Sequence, residues 1–181
     1  MHRDHDAELL RDCKKGDRQA LGSLVRRYER PVYNAAFRMM GNPDEAADVT
    51  QTVFLKAFEN LDRYQPKFKF FSWIYRIAIN ECIDQLNRRN RFEPLDENPE
   101  ATARGPVDVA VTGQLGRDIQ AVLMALNEDH RSVIVLRHFT ELSYREMSEI
   151  LQIPEKTVKS RLFSARQQMK GRLEEMGILS A

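Results

Sequence analysis

The sequence is poor in cysteine, and it lacks a long apolar run. Its two cysteines, Cys13 and Cys82, lie far apart and form no CxxC pair, which argues against a metal knuckle or a disulfide framework. The four histidines show no ligand spacing, so we predict no metal and no other cofactor. The polar start MHRDHDAELL has no signal-like apolar core, and no stretch approaches the length of a membrane span. We therefore expect a cytoplasmic protein.

Neither sign of charge dominates, and strand patterns are missing. The chain has 28 lysines and arginines against 27 aspartates and glutamates, so affinity for nucleic acid has to come from local basic clusters. No segment alternates apolar and polar residues between turn signals, whereas helical periodicity recurs. Pro31 indicates a kink or a break in the second helix. We predict an all-α fold with helices at residues 5–15, 17–40, 43–61, 70–91, 114–126, 129–139, 143–151 and 154–174.

The segment from Phe92 to Gly113 differs in composition from the rest of the chain. FEPLDENPEATARGPVDVAVTG has three prolines, two glycines and five acidic residues against one arginine. It has too few large apolar residues to pack a core, which predicts a flexible acidic linker over residues 92–113. Two small helical domains follow from this division, a four-helix N-terminal domain over residues 1–91 and a helix-turn-helix domain over residues 114–181.

A basic helix-turn-helix is the most informative motif. In LSYREMSEILQIPEKTVKSRLFSARQQMKGRL, residues 142–173, Ser143 and Glu146 have capping-box spacing, and Pro154 suits the first turn of a second helix. Residues 155–173 carry six basic residues against one acidic residue. A recognition helix in the major groove needs cations for phosphates and for guanine edges. The alternative is a solvated amphipathic helix that packs on a neighbour.

A second segment, RYQPKFKFFSWIYRIAINECIDQLNRRNR at residues 63–91, combines aromatic and basic side chains. Polar residues at three-to-four-residue spacing supply groups for bases and phosphates, and aromatic faces stack on unpaired bases for about 1–3 kcal/mol each. We expect at least half of Phe70, Phe71, Trp73 and Ile74 to be core instead. At this point an all-helical chain with these two segments could be a stand-alone helix-turn-helix repressor or activator, an enzyme acting on nucleic acid, or an all-helical adaptor.

Three motifs in order carry a resemblance to a family. PDEAADVTQTVFLKAFENLDRY, FFSWIYRIAINECIDQLNRR and LNEDHRSVIVLRHFTELSYREMSEILQIPEKTVKSRLFSARQQMKGRL resemble, in turn, the polymerase-binding helix, the −10 helix and the −35 domain of a bacterial RNA polymerase sigma factor of the extracytoplasmic-function (ECF) type. The resemblance implies that residues 1–91 are sigma region 2, which binds core polymerase and reads and melts the −10 element. It implies that residues 114–181 are region 4, which reads the −35 element.

The resemblance also implies three sets of site residues. Polymerase contacts are implied for Asp48, Gln51, Thr52 and Lys56. Contacts to the −10 element are implied for Lys67, Lys69, Trp73, Arg76, Asn80, Asp84, Asn87 and Arg88, with a loop between Leu61 and Ser72 that captures a flipped base. Contacts to the −35 element are implied for Lys156, Thr157, Lys159, Ser160, Arg161, Phe163 and Arg166.

The implied partners are core RNA polymerase, promoter DNA and an anti-sigma factor that covers the polymerase-binding surfaces and can hold the protein near a membrane. No covalent chemistry is implied, so the chain is not expected to be an enzyme.

The sequence departs from the family pattern at three positions. Thr52 stands where the family usually has Glu, and Lys156 stands where it commonly has Gly. Gln152 occupies a turn position that usually carries Gly, which relieves a positive φ, so we expect either strain or a different turn there.

Overall fold

The computed structural model describes residues 2–67, 69–92 and 113–179, and these ranges contain helices and loops without a strand. The helices are α1 (His2–Lys14), α2 (Arg18–Met40), α3 (Pro43–Glu59), α4 (Phe70–Phe92), α5 (Gln114–Met124), α6 (Glu128–Ile134), α7 (Tyr144–Leu151) and α8 (Glu155–Glu175). A 3-10 turn follows α3 at Leu61–Arg63, and a π-helical turn continues α6 at Val135–Phe139. The predicted all-α fold is confirmed. The predicted linker falls mostly on residues 93–112, which lie outside the described residues.

Local polar groups and one glycine set the helix ends of the first half. The Asp17 carboxylate accepts the first free N–H groups of α2 at 2.7 and 3.4 Å, and the Asn42 amide oxygen accepts those of α3 at 2.9 and 3.1 Å. Gly41 ends α2 in the left-handed region at φ 75°, and its N–H donates to the Phe37 carbonyl at 2.8 Å. Helix α2 runs through Pro31 without interruption, so Pro31 does not break it.

The predicted capping box is present at the start of α7, the first helix of the helix-turn-helix. Ser143 Oγ accepts the Glu146 N–H at 3.3 Å, and the Glu146 carboxylate accepts the Ser143 N–H at 3.0 Å. Gln152 lies in the left-handed region with φ 55° and ψ 39°, so of the two expected alternatives, strain or a different turn, strain is the one observed. Its amide donates to the Glu149 carbonyl at 2.6 Å, which fills one helix-terminal acceptor. Pro154 stands just before α8, at its N-cap position.

Helices α2, α3 and α4 enclose the core of the first half, and α1 packs on α2. Cys82 is fully buried in this core, and burial together with the Glu81 charge raises the pKa of its thiol to about 12. Phe70 and Ile74 are also buried, which confirms that half of the four aromatic-segment residues belong to the core. None of the helices in the described ranges is long and apolar enough to cross a membrane.

The core of the second half lies between α6, the π-helical turn, α7 and α8. Helix α8 buries Val158, Leu162 and Ala165 along one side, as its apolar periodicity predicts. Met147 and Ile150 of α7 are buried on the facing helix, so the two helices of the motif hold each other at a fixed angle.

The two halves pack against each other. Helix α2 contacts α5, α6 and the π-helical turn, α4 contacts α7, and one continuous buried apolar cluster includes residues of both halves. The predicted division into two helical domains gave no indication of this contact, because amphipathic periodicity reports which face is buried and not what covers it.

A buried arginine crosses the junction. Arg131 of α6 is only 6% exposed. Its guanidinium forms no salt bridge with the described residues and donates instead to four backbone carbonyls. Three of them belong to its own half, Leu123, Met124 and Leu126, at 2.9, 3.0 and 2.8 Å. The fourth is Met39, near the C-terminal end of α2, at 2.5 Å. Buried carbonyls at helix ends need donors, and Arg131 supplies them.

A second polar contact lies beside it. Gln120 of α5 is buried, and its amide nitrogen is 3.4 Å from each of the Phe37 and Arg38 carbonyls. Its amide oxygen accepts from the Arg38 guanidinium at 3.2 Å. The same guanidinium lies 4.3 Å from the centroid of the Phe139 ring. The Gln120 amide therefore both donates to and accepts from groups at the C-terminal end of α2.

We expect Gly41→Ala to destabilise the protein more than Gly16→Ala. Both glycines have positive φ, 75° and 89°, which costs a residue with a Cβ about 1–2 kcal/mol. A Cβ at Gly41 would also lie 2.4 Å from the Met124 sulfur of the other half, whereas a Cβ at Gly16 meets nothing within 4 Å. Overpacking adds about 1–3 kcal/mol. Urea unfolding measures both losses, and equal losses would mean that Met124 moves aside without cost.

Candidate nucleic-acid interface

Helix α3 turns a continuous polar face to solvent. Asp48, Gln51 and Lys56 are exposed and Thr52 is half-buried, so these predicted site residues share one accessible side. Leu55 lies among them and is 57% exposed. The sequence prediction missed Leu55, although an unassigned leucine outside the apolar stripe of an amphipathic helix was an available signal.

A buried carboxylate joins α3 to α4. The Glu81 side chain is 4% exposed and pairs with Lys56, with Arg88 at 3.3 Å, and with the Gln85 amide at 3.4 Å. Burial alone would raise the pKa of Glu81, but the hydrogen bonds and charges of these neighbours outweigh it and leave the pKa below its ordinary value. Two predicted site residues on different helices, Lys56 and Arg88, are thereby held by one side chain that the sequence did not single out.

The exposed side of α4 carries the predicted polar stripe. Asn80, Asp84 and Asn87 are exposed on successive turns, and Arg88 extends from the same side toward Glu81. Amide, carboxylate and guanidinium groups therefore follow one another along a helix face, where they can donate to and accept from base edges.

Trp73 and Arg76 lie at the other end of α4 and line a cavity of about 110 Å³. The remaining lining residues are Arg63, Tyr64, Gln65, Ser72, Glu149 and Gln152. Ser72 is 5% exposed, and its hydroxyl has no hydrogen-bond partner among the described residues. A buried hydroxyl without a partner is costly, so this cavity offers a group that a ligand atom can satisfy.

An aromatic cluster supports this cavity from behind. Phe70 contacts Tyr28, Tyr64 and Trp73 with ring centroids 5.3, 5.8 and 5.8 Å apart, and Tyr64 lies 5.4 Å from Trp73. Such tilted and edge-on contacts fix ring orientation as well as position. The Trp73 ring is therefore held by packing before any ligand arrives.

The loop before α4 places two further predicted residues at the surface. Lys67 and Lys69 are both exposed. The Lys69 ammonium lies 2.6 Å from the Glu146 carboxylate of α7 and 5.2 Å from the centroid of the Phe71 ring. The hydrogen bonds to Lys69 and Ser143 hold the pKa of Glu146 below its ordinary value, although burial opposes them.

The outer face of α8 is basic with an apolar centre. Lys156, Lys159, Ser160 and Arg166 are exposed, and Phe163 between them is 66% exposed. These five predicted residues share one face, because the buried stripe of α8 occupies the opposite side. An aromatic side chain this exposed on a basic face is typical of a binding surface.

The other two predicted α8 residues lie at the edge of this face. Thr157 and Arg161 are half-buried, and Arg161 pairs with Asp129 of α6 at 2.8 Å. The Arg161 guanidinium is therefore already paired within the second half.

A histidine lies next to Arg166. Burial and the charge of Arg166, whose Nε lies 3.2 Å from the His138 ring, lower the pKa of His138.

The described residues form surfaces suited to binding. The described residues contain no group of three or more His, Cys, Asp or Glu side chains that could hold a metal ion. They contain instead a basic helix-turn-helix, a polar helix with a rigid aromatic cavity, and a separate polar face with an exposed leucine. This combination defines a two-part helical DNA-binding protein with a further surface for a macromolecular partner.

Comparison with known proteins identifies the family. Residues 24–92 match Sigma-70 region 2, and residues 116–169 match Sigma-70, region 4. The chain is 35% identical over 179 residues to the ECF RNA polymerase sigma factor SigW of Bacillus subtilis (strain 168), over 92% of this chain and 96% of SigW. It is 30% identical to the ECF RNA polymerase sigma-E factor of Escherichia coli (strain K12), over 94% of this chain and 95% of that protein. The chain belongs to the ECF sigma factors, which are transcription initiation factors and not enzymes.

Solved structures agree with this fold. CnrH, in complex with the cytosolic domain of CnrY, superposes with a TM-score of 0.70 at 27% identity, over 96% of this chain and 97% of CnrH. The sigma factor RpoE, in complex with the anti-sigma factor NepR from Bartonella quintana, gives a TM-score of 0.66 at 22% identity, over 84% of this chain and 96% of RpoE. The second likeness supports the fold alone.

We expect Glu81→Gln to lower the free energy of unfolding at pH 7 by about 1–3 kcal/mol, because Lys56 and Arg88 lose their buried charge partner. Folding lowers the pKa of Glu81, so its carboxylate stabilises the fold above the ordinary value of 4.5. That contribution is lost as the pH falls through the folded-state pKa. Wild type and variant should therefore converge in urea unfolding below that pH.

The matched control is Glu59→Gln, at the exposed end of α3, which should change stability little at any pH. A Glu81→Gln loss that stays constant down to pH 3 would contradict the charged pairing.

Proposed function

We propose that this chain binds core RNA polymerase and directs it to promoters by reading a −35 element with α8 and a −10 element with α4 and the loop before it, where it also melts the duplex. Residues 1–91 would act as region 2, residues 114–181 as region 4, and residues 92–113 as the tether. The observation that carries this proposal is the separation of an exposed basic face on α8 from the exposed polar face of α3.

The polymerase surface in this proposal is the face of α3 around Leu55. An exposed apolar side chain ringed by polar ones is the usual anatomy of a protein interface, with an apolar centre and a polar rim. Asp48, Gln51 and Thr52 form that rim. Lys56 is 49% exposed and keeps its pairing with Glu81, so it can face polymerase without leaving that partner.

The −10 reader would capture an unstacked base in the cavity lined by Trp73 and Arg76. The fixed Trp73 ring offers a stacking surface, and the partnerless Ser72 hydroxyl offers a hydrogen bond to a base edge. The polar stripe of α4 would follow the adjoining nucleotides. Melting is favoured because a base held in this way no longer pairs with its complement.

The −35 reader would insert the outer face of α8 into the major groove. Lys156, Lys159 and Arg166 can reach phosphates or guanine edges, and Ser160 can bind either kind of group. The exposed Phe163 ring suits the methyl group of thymine.

An anti-sigma factor is the third partner in this proposal. CnrH, which shares 27% identity with 96% of this chain, was solved with the cytosolic domain of CnrY, which supports a protein partner for this fold. Such an inhibitor would cover the face of α3 around Leu55. The chain would then be cytoplasmic and held near a membrane only through an anchored inhibitor.

In vitro transcription with purified core polymerase, followed by mapping of the start sites, tests the proposal as a whole. Transcription from defined sites that depends on this chain is the expected result. Tight, specific binding to promoter duplex without polymerase would favour a stand-alone repressor instead.

For the polymerase surface, we expect Leu55→Lys to weaken binding to core polymerase about tenfold or more, because it places a charge at the apolar centre of the interface. Leu115→Lys on α5 is the matched control, since Leu115 is 58% exposed against 57% for Leu55 and lies outside the proposed surface. Fluorescence anisotropy with labelled protein measures both affinities. Equal effects of the two variants would place the polymerase contact elsewhere.

For the −35 reader, we expect Lys159→Ala to reduce promoter affinity of the polymerase complex and to lower the slope of its salt dependence by about one. Binding to core polymerase should be unchanged, because Lys159 lies on α8, outside the proposed polymerase surface on α3. Lys15→Ala, an exposed lysine of the first half, is the control. Filter binding over a range of salt concentrations measures the slope, and loss of both DNA and polymerase binding would refute the division of surfaces.

A further inference from the structure

A second cavity, larger than the one beside Trp73, lies between α1, α2, the start of α4 and residues 140–142. Its volume is about 1090 Å³. Cavities that bind small organic molecules usually have volumes of about 300–1,000 Å³, apolar walls and a few well-placed polar groups. We propose that this cavity is a binding site for a small amphipathic acid, an organic molecule with an apolar body and one carboxylate. The site is separate from the proposed polymerase and −35 surfaces, so the proposal goes beyond the proposed function.

The interior of the cavity is apolar. Its wall is formed largely by buried and half-buried side chains, which are Leu10, Tyr28, Tyr64, Phe70, Phe71 and Leu142. The Phe70 ring contacts Tyr28 and Tyr64, with centroids 5.3 and 5.8 Å apart. Because these rings already hold one another in place, a ligand does not have to order them, which favours binding of its apolar body.

Tyr75 brings a polar group into this apolar wall. It is 6% exposed, and its hydroxyl has no hydrogen-bond partner among the described residues. Burial raises the pKa of Tyr75 to about 12, so the hydroxyl keeps its proton at neutral pH. A buried donor that is left unpaired is unfavourable, so a ligand that fills the cavity has to present an acceptor to it.

Two cations lie at the mouth of the cavity. Arg11 and Lys14 are exposed near the C-terminal end of α1, and both line the cavity. Neither forms a salt bridge with a described residue, and the Arg11 guanidinium donates only to the Ala7 carbonyl, at 3.4 Å. The next residue, Lys15, pairs with Asp12 at 3.4 Å and does not line the cavity. The two cations are therefore available to a ligand.

The other charges around the cavity largely neutralise one another. Asp6 pairs with Arg27, and Glu146 pairs with Lys69. Glu141, exposed on the wall that residues 140–142 form, is the remaining acid, and it has no cation partner among the described residues. The unpaired charges are therefore two positive and one negative, which favours an anionic ligand with its charge at α1.

The unpaired groups on the α1 and α4 sides of the cavity are all donors. A carboxylate only accepts hydrogen bonds and offers about four lone-pair sites, so it suits the Tyr75 hydroxyl and the cations of α1. A neutral apolar molecule would leave Tyr75 unpaired, and an amine would add a positive charge beside Arg11 and Lys14. The combination of an apolar interior and these donors therefore selects an amphipathic acid.

The test uses the whole chain with three probes. Anilinonaphthalene sulfonate (ANS), an aromatic anion whose fluorescence rises in apolar surroundings, reports occupancy of the cavity. Decanoate and decylamine, which have chains of the same length and charges of opposite sign, compete with it below the concentrations at which they form micelles. We expect decanoate to displace ANS at a concentration about tenfold lower than decylamine does.

Variants of the polar groups test how the acid is held. Lys14→Ala and Tyr75→Phe should each weaken decanoate binding about threefold, because each removes one donor to the carboxylate. Lys15→Ala and Tyr33→Phe are the matched controls and should bind decanoate as wild type does. Tyr33 is also buried, with a hydroxyl that has no partner among the described residues, but it does not line the cavity. Glu141→Gln should strengthen decanoate binding about twofold, because it removes a negative charge from the wall.

A variant that fills the cavity tests where the probes bind. Ala7→Phe adds a ring to a residue that lines the cavity, and it should weaken binding of both ANS and decanoate about tenfold or more. Glu8→Phe adds the same ring to the next exposed residue, outside the cavity, and should leave both affinities unchanged. Far-UV circular dichroism and thermal unfolding confirm that each variant is folded.

Several results would overturn the amphipathic-acid site. Wild type that binds neither ANS nor decanoate would show that the cavity takes no such ligand, and equal displacement by decanoate and decylamine would show that it does not select for charge. Unchanged decanoate binding in both Lys14→Ala and Tyr75→Phe would place the carboxylate elsewhere. Unchanged ANS binding in Ala7→Phe would place the probe outside the cavity. ANS that neither competitor displaces would indicate a larger occupant, such as a segment of a protein partner.

Discussion

The C-terminal end of α2 is the point on which the arrangement of the whole chain depends. A helix end leaves carbonyl groups without intrahelical donors, and here the Arg38 and Met39 carbonyls accept from the second half. Gly41 ends the helix in a left-handed conformation and, having no side chain, leaves room for Met124. Arg131 and Gln120 then donate to those carbonyls. The residues that end α2 therefore also form its contacts with the second half.

Within the first half, a single buried charge organises the outer faces of α3 and α4. Glu81 is tolerated in the core only because Lys56 and Arg88 reach it from different helices. The same pairs orient two cations at the edges of the proposed polymerase and −10 surfaces. A change at Glu81, which is itself buried, would therefore alter side chains at the edges of both proposed surfaces.

The sequence predicted the features that depend on residues close together in the chain. Helix positions and the Ser143–Glu146 capping box follow from local spacing and backbone preference, and strain at Gln152 was one of the two outcomes expected for that turn. What it did not reveal depends on contacts between distant residues. The Lys56–Glu81 pair, the Arg131 bridge and the cavity that Trp73 shares with Glu149 join positions far apart in the chain. Periodicity carries no information about which helix meets which.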